Sequence, residues 1–323
     1  MNDNRNSDDS TSRFLEKKTT YKFNLKKAID ELASPLLGGT KILIEESFEN
    51  AIAKVRAERP AIEAKALTKQ MHHQKVIDEV VTRAIKTLQN LQTNDDTESD
   101  EIKSQAIDDD WLNIFYAEAG LRNADEIKET FARILAGEIR QPGKFSIGTL
   151  RTVSALDEES ANVFVRAASA CIQIYVSIPI QDNFRINDAR IPALDGQLGD
   201  NFLQNYGLSY TELIKLIEHG LIVSDLGSWG EYRLALNDAR VAIYSAGGFV
   251  RLVHQNQLWS LMPQPEFRLD EENGLRLYGA KFSSVGRELL EVVDIIPMQE
   301  FSEKIARYFN TLKLDMKSLG NIA

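Results

Sequence analysis

A long stretch without glycine is the feature that most constrains how this 323-residue chain can fold. From about Glu45 to Leu91 the sequence has no glycine and one proline, Pro60, and it is rich in Ala, Lys and Glu. Because these residues favour helix, the stretch predicts one or two long helices with a break or a start at Pro60.

A narrow apolar stripe runs along this predicted helix. It consists of Val76, Val80, Ile85 and Leu88, which are spaced to share one helical face. A thin stripe on a long charged helix is typical of a helical hairpin or of a self-association surface.

The charge of the chain changes sign near residue 92. Residues 50–91 contain eight Lys and Arg against four Asp and Glu, whereas residues 92–130 contain three against twelve. The polar, acidic stretch 93–110 is therefore interpreted as containing a linker. We interpret the basic helix as a solvated charged helix, with contact to an acidic partner or to phosphate as the alternative.

Residues 108–177 predict a compact bundle of four amphipathic helices. The fourth helix is expected to continue through Tyr175 and to bury the single cysteine, Cys171, as an inert thiol. Suitable capping residues precede each helix, and they are Asp108–Asp110, Asn123 in a capping-box-like Asn123–Glu126, Ser146 and Asp157.

The remaining part of the chain predicts an α+β, winged-helix-like domain. Residues 178–207 are expected to be a connecting loop region with a short strand or two, and Ser209–Glu212 is a capping box that opens a helix. Further helices are expected from Ser283 and over Glu300–Leu314. The runs rich in β-formers are Leu221–Val223, Tyr232–Leu236, Val241–Tyr244, Phe249–Val253 and Leu275–Tyr278.

The predicted fold class is therefore mainly α with an α+β C-terminal part. It comprises a long N-terminal helix, a central helical bundle and a winged-helix-like C-terminal domain. The predicted parts are a disordered tail (1–20), a helical N-terminal region (21–92), an acidic linker (93–107), the bundle (108–177) and the winged-helix-like domain (178–323).

No segment predicts secretion or a transmembrane span, so we expect a cytoplasmic protein. The most apolar candidate, residues 32–44, is interrupted by Pro35, two glycines and Lys41. Packing of this segment on a partner or on the core is the favoured interpretation, and peripheral membrane contact is the alternative.

Composition and motifs give no catalytic, metal or cofactor site. The composition is that of a globular protein, one cysteine excludes a disulfide framework, and the net charge of −10 disfavours broad nucleic-acid binding. His72 and His73 are adjacent and diverge on a helix, and neither glycine pair forms a phosphate-loop motif. We expect no catalytic residue, no metal and no cofactor.

One acidic residue has two possible interpretations. Glu138, beside Gly137 in a predicted apolar helix, either contacts a buried partner such as an arginine or is a half-exposed helix charge. A hydrolase or nuclease that uses acids within 108–138 is the enzymatic alternative.

One block of the sequence resembles a bacterial family of unknown function. Its most specific part is LAGEI followed by PGKFS, and the resemblance covers roughly residues 32–175. Three further segments resemble sequences of the same family. They are Ser34–Pro35, Thr40–Glu45 and, more loosely, Phe282–Leu289. The block itself comprises Asp109–Phe115, Asn123–Ile127, Phe131–Ile139, Gln141–Ser146 and Arg151–Val153.

The resemblance implies a bacterial cytoplasmic protein without an assigned reaction. The block is also distantly similar to abortive-infection proteins, which implies a role in phage defence. We interpret the residues of the block as structural. Its large apolar residues anchor the core, Gly137 lets helices approach closely, Pro142 and Gly143 form a turn, and Ser146 caps the next helix. The residues interpreted in this way are Trp111, Phe115, Glu126, Phe131, Leu135, Ala136, Gly137, Glu138, Pro142, Gly143 and Ser146.

The favoured function is a non-enzymatic interaction or scaffold protein that forms a homo-oligomer through its N-terminal helix. Its protein partner is not identified by the sequence. A DNA-binding regulator acting through residues 209–293 is less favoured, because both candidate helices there carry mixed charge.

Overall fold

A computed structural model describes residues 60–92, 107–178, 183–194, 201–231, 250–267 and 276–321. These residues belong to two compact units, a helical unit (60–155) and a sheet unit (156–321). The predicted tail, residues 32–44, the predicted strands Tyr232–Leu236 and Val241–Tyr244, and most of the predicted linker lie outside the described residues.

Helices make up the helical unit. The longest helix packs along the third helix, and the second packs on the fourth. In chain order they are α1 (Pro60–Gln92), α2 (Asp109–Ala119), α3 (Asp125–Arg140) and α4 (Ile147–Ala155).

The apolar stripe of α1 is buried in the helical unit, where α1 packs along α3. Of its four residues, Val76, Val80 and Leu88 are almost completely buried, whereas Ile85 is half-buried. Ion pairs flank this contact, with Lys128 Nζ 2.7 Å from Glu79 Oε2 and Arg83 Nη2 2.6 Å from Asp125 Oδ1. The stripe therefore packs within the chain, as in the helical-hairpin alternative.

The sheet unit contains helices and one seven-stranded sheet. Its helices are α5 (Glu158–Ala170), α6 (Asn201–Gln204), α7 (Tyr210–Glu218), α8 (Ser284–Leu289) and α9 (Gln299–Thr311). Its strands are β1 (Ile172–Ile178), β2 (Asn183–Pro192), β3 (Trp229–Glu231), β4 (Val250–His254), β5 (Gln257–Pro263), β6 (Arg276–Lys281) and β7 (Leu314–Asn321).

The strand order is β3-β6-β2-β1-β4-β5-β7, and every described strand pair is antiparallel. β1 lies in the middle of the sheet, between β2 and β4. A tight turn joins β4 to β5 through Gln255 and Asn256, whose φ angles are 51° and 59°. Two successive positive φ angles match the twist of a two-residue hairpin.

The predicted fold class, mainly α with a central bundle and a winged-helix-like domain, is wrong. The protein is an α+β mixture in which a seven-stranded antiparallel sheet organises the C-terminal part. The bundle fails at its fourth helix, because α5 ends at Ala170 and belongs to the sheet unit. Cys171 caps that helix, and Ile172 then begins β1.

One coincidence of spacing and one strand pairing between remote residues explain this error. Phe164, Ala168, Cys171 and Tyr175 satisfy a helical period, although the run IQIYVSI also alternates as a strand does. The supposed connecting region contains β2, an interior strand of ten residues. Its pairing with β6 joins residues about 90 positions apart, which no local pattern reveals.

Other expectations held at the level of single elements. Cys171 is buried, and the hydroxyl of Ser209 caps α7. At α3, however, the cap is Ala124 rather than Asn123. The amide oxygen of Asn123 instead accepts a hydrogen bond from His72 Nε2 at 2.7 Å.

Among the described helices, none combines the length and apolar character needed to span a bilayer.

One glycine of the sheet unit allows close contact between α8 and a neighbouring segment. A Cβ atom at Gly286 would lie 2.1 Å from the carbonyl oxygen of Leu221. The cap of α8 is tied to the same segment, because Ser283 Oγ donates to the carbonyl of Gly220.

We predict that Gly286→Ala lowers the free energy of unfolding by about 1–3 kcal/mol, because overpacking outweighs the better helix propensity of alanine. Gly227→Ala is the matched control, since a Cβ there would meet only the Asp225 carboxylate at 3.7 Å. Urea denaturation of both variants measures the difference. Equal stability of Gly286→Ala and wild type would contradict the close approach.

Candidate functional site

A buried carboxylate holds the loop between α3 and α4. Glu138 lies in the last turn of α3 and is only 2% exposed. Its two carboxylate oxygens accept hydrogen bonds from the backbone N–H groups of Gly143 (2.5 Å) and Phe145 (2.9 Å). Glu138 therefore supplies the acceptors that these loop amides need inside the protein.

The same loop is held from α2. The indole Nε1 of Trp111 donates a buried hydrogen bond of 2.7 Å to the carbonyl of Phe145. The Trp111 ring stacks on Phe115 at a centroid distance of 5.4 Å, and Phe115 meets Phe131 edge to face at 5.8 Å. The backbone N–H and the carbonyl of Phe145 thus each form a hydrogen bond with a side chain, and the two side chains belong to different helices.

Two glycines make this loop geometry feasible. A Cβ at Gly137 would lie 2.6 Å from the ring of Phe145, so only glycine lets that ring cross α3 here. Gly143 has a φ of 81°, in the left-handed region that glycine adopts without strain. Ser146 then precedes α4, where its Oγ accepts from the N–H of Thr149 at 3.3 Å.

Six residues of the sequence motif therefore lie in this loop or contact it, and they are Trp111, Gly137, Glu138, Pro142, Gly143 and Ser146. Leu135 and Ala136 are buried on α3, and Pro142 is half-buried in the loop itself. Glu126 is exposed in the first turn of α3. Burial of Glu138 excludes the half-exposed alternative, and its carboxylate accepts hydrogen bonds from the backbone amides of Gly143 and Phe145.

A second buried polar group crosses the sheet unit. Arg190 on β2 donates from Nε to Asp188 Oδ2 at 2.7 Å, and both side chains are buried. Its Nη1 donates to the carbonyls of Ser228 (3.0 Å) and Leu277 (2.9 Å). The guanidinium therefore ties β2 to β6 and to the residue before β3.

His254, at the end of β4, joins three elements. Because a carbonyl only accepts hydrogen bonds, Nδ1 carries the proton and donates to the carbonyl of Cys171 at 2.9 Å. Nε2 then accepts from the hydroxyl of Ser302 on α9, also at 2.9 Å. Burial lowers the pKa of His254 to about 4, with the Cys171 carbonyl opposing the shift, and burial raises the pKa of the Cys171 thiol.

A serine bonded to an oriented histidine is also the arrangement of a nucleophile and its general base. A histidine with a pKa of about 4 is a weak base at neutral pH, however. Ser302 Oγ also lies 3.1 Å from the carbonyl of Met298, in its own helix turn. The geometry therefore favours a structural role, in which His254 links β4, the end of α5 and α9.

No group of three or more His, Cys, Asp and Glu side chains that could hold a metal occurs within the described ranges.

An exposed aromatic surface lies at the β3 end of the sheet. Trp229 and Tyr278 face each other across β3 and β6 and are 50% and 42% exposed. Their rings are 6.4 Å apart, and the guanidinium of Arg276 lies 5.1 Å from the Trp229 ring. We call Trp229, Arg276 and Tyr278 the aromatic–arginine patch.

The sequence reading missed this patch, although one signal was present. Trp229 stands in the run Gly227-Ser-Trp-Gly230, where no apolar neighbour supports burial. Its pairing with Tyr278 depends on strand register over about 50 residues and was not visible in the sequence.

A comparison with family models supplies the classification. The model described as Protein of unknown function (DUF2806) matches residues 61–306, which is well over half of the chain. The chain belongs to this family. The DUF2806 match extends from α1 to α9 and so includes residues of both units. Neither the curated proteins nor the solved structures include a match to the chain.

We predict that Glu138→Gln lowers the free energy of unfolding by about 1–3 kcal/mol, because one of the two acceptor oxygens becomes an amide donor that faces a backbone N–H. Glu126→Gln makes the same chemical change at an exposed position of the same helix and is expected to be nearly neutral. Chemical denaturation checks both, and similar effects of the two substitutions would contradict the role of Glu138.

We predict that His254 makes the protein less stable in acid. The unfolded chain binds a proton with a pKa near 6.5, whereas the folded pKa is about 4. The contribution of His254 to the free energy of unfolding is therefore complete above pH 6.5. As the pH falls towards 4, about 3 kcal/mol of this contribution is lost. Denaturation from pH 7 to pH 4 should show a smaller loss for His254→Gln than for wild type.

The exposed His72→Gln serves as control and should keep the wild-type pH dependence. An unchanged slope for His254→Gln would show that another group causes the acid sensitivity.

Proposed function

We propose that this chain is a non-enzymatic bacterial interaction protein that binds its partner through the aromatic–arginine patch. The observation that carries the proposal is a half-exposed tryptophan paired with a half-exposed tyrosine. Trp, Tyr and Arg are the residue types that most often dominate the binding energy of protein interfaces.

The patch is also held in place before any partner binds. Trp229 and Tyr278 belong to hydrogen-bonded strands, and Arg276 lies over the Trp229 ring. The hydroxyl of Tyr308 on α9 donates to the carbonyl of Arg276 at 3.0 Å. Side chains ordered in this way lose less conformational entropy on binding.

Self-association remains part of the proposal, but through a different surface. The apolar stripe that suggested it is buried against α3. A homo-oligomer would therefore use the patch rather than the stripe of α1. A role in phage defence is proposed as the cellular context, and it is supported by the similarity of the LAGEI and PGKFS segments to abortive-infection proteins.

The test compares a patch variant with a matched control. We expect Trp229→Ser/Tyr278→Ser to abolish self-association in light scattering at micromolar concentration and to reduce protection in a phage-plating assay. Leu121→Ser/Tyr210→Ser removes two other exposed apolar side chains of similar exposure and should leave both readouts unchanged. A strictly monomeric wild type would refute self-association. Equal protection against phage by the patch variant and the control variant would refute a role of the patch in defence.

A further inference from the structure

A buried guanidinium contacts the segments that carry the aromatic–arginine patch. Arg190 of β2 is only 2% exposed, so it is too deep to contact a partner at the surface. Its Nη1 group nevertheless donates to three carbonyls beside the exposed rings. They belong to Ser228 (3.0 Å), Leu277 (2.9 Å) and Gly279 (3.4 Å).

Two of these carbonyls stand directly before the aromatic residues. The carbonyl of Ser228 belongs to the peptide group that precedes Trp229, and that of Leu277 to the group that precedes Tyr278. Because a peptide group is planar, fixing its carbonyl restricts the φ angle of the next residue and so the direction of its side chain. One nitrogen of Arg190 thus restrains both aromatic residues at their backbone.

The strand that carries Trp229 has few other ties. β3 has three residues, is the outermost strand in the sheet order, and pairs only with β6 among the described strands. Ser228 adds two bonds to β6, because its carbonyl accepts from the N–H of Gly279 at 2.9 Å and its hydroxyl donates to the Gly279 carbonyl at 3.0 Å. The bond from Arg190 is different, because it connects this segment to the interior strand β2.

The guanidinium is itself held in one orientation. Its Nε and Nη2 lie 2.7 Å and 2.5 Å from Oδ2 of the buried Asp188, which directs Nη1 towards the carbonyls. Next to this pair β6 approaches β2 closely, since a Cβ atom at Gly279 would lie 2.0 Å from the carbonyl oxygen of Ile191. A lysine at this position could keep the ion pair, but it lacks the planar fork that reaches the carbonyls at the same time.

We propose that Arg190 is a positioning residue for the aromatic–arginine patch. Without contacting the partner, it sets the orientation of Trp229 relative to Tyr278 and so reduces the ordering that binding requires. The effect of Arg190 on binding rests on the proposed function, whereas its effect on the orientation of Trp229 does not.

The first measurement concerns orientation and needs no partner. The full chain has three tryptophans, so a magnetic resonance spectrum of isotope-labelled indole N–H groups has one signal for each, and Trp229→Phe identifies the signal of Trp229. We expect Arg190→Lys to shift the Trp229 signal and to leave the signals of Trp111 and Trp259 in place. An unmoved Trp229 signal would overturn the proposal, whatever the substitution does to stability.

The second measurement is self-association by light scattering. We expect Arg190→Lys to weaken it at least about threefold, because Trp229 must then be ordered on binding. Arg166→Lys is the matched control, since it makes the same change at an arginine whose Nε donates to the carbonyl of Gly207, outside the patch.

Equal weakening by the two variants, or a shifted Trp229 signal with unchanged association, would overturn the positioning role in binding. A strictly monomeric wild type would refute the proposed self-association instead, and the Trp229 signal would still decide whether Arg190 orients the patch.

A second variant is available if Arg190→Lys does not fold. Asp188→Asn/Arg190→Met removes both buried charges together, so neither is left unpaired inside the protein. It also removes the donor to the three carbonyls and should shift the Trp229 signal while circular dichroism stays that of wild type. A folded double variant with an unmoved Trp229 signal would overturn the proposal.

Discussion

The hydrogen bonds from two backbone amides to the carboxylate of Glu138 are the interaction on which the helical unit most depends. They set the path of the loop that leaves α3, and that path places the ring of Phe145 over Gly137. Trp111 then binds the carbonyl of the same residue from α2. The buried carboxylate therefore helps to fix α2, the end of α3 and the loop to α4 relative to one another. This is a structural role for an acid that lies within the range considered for the enzymatic alternative.

The sheet unit uses buried polar groups in the same way. Arg190 reaches carbonyls near both β3 and β6, and His254 reaches the end of α5 and the beginning of α9. Groups with full sets of structural partners have little freedom for chemistry. The aromatic–arginine patch, by contrast, is exposed on the sheet unit, and it is the surface through which we propose that the protein binds a partner.

How much could be predicted depended on the range of the interaction. Asp108, Ser146 and Ser209 were recognised as caps because a cap contacts backbone only two or three residues away. The sequence predicts a helix through Tyr175, although Ile172 begins a strand, because the strand partners of this segment are remote in the chain. The convergence of Trp111, Gly137 and Glu138 on one loop was likewise invisible, although each residue had been singled out. Trp229 was not singled out, since exposure depends on what covers a side chain.

By itself the sequence determined the features in which backbone groups form hydrogen bonds to nearby residues. These features are the long glycine-free helix, the helix caps and the turns at glycine residues. The tertiary structure alone decided what each face meets. It buried the stripe of α1 against α3, gave Glu138 its amide partners and placed Trp229 beside Tyr278. The reason is physical, because propensity and capping act over a few residues, whereas burial and strand pairing join segments whose separation the local sequence does not encode.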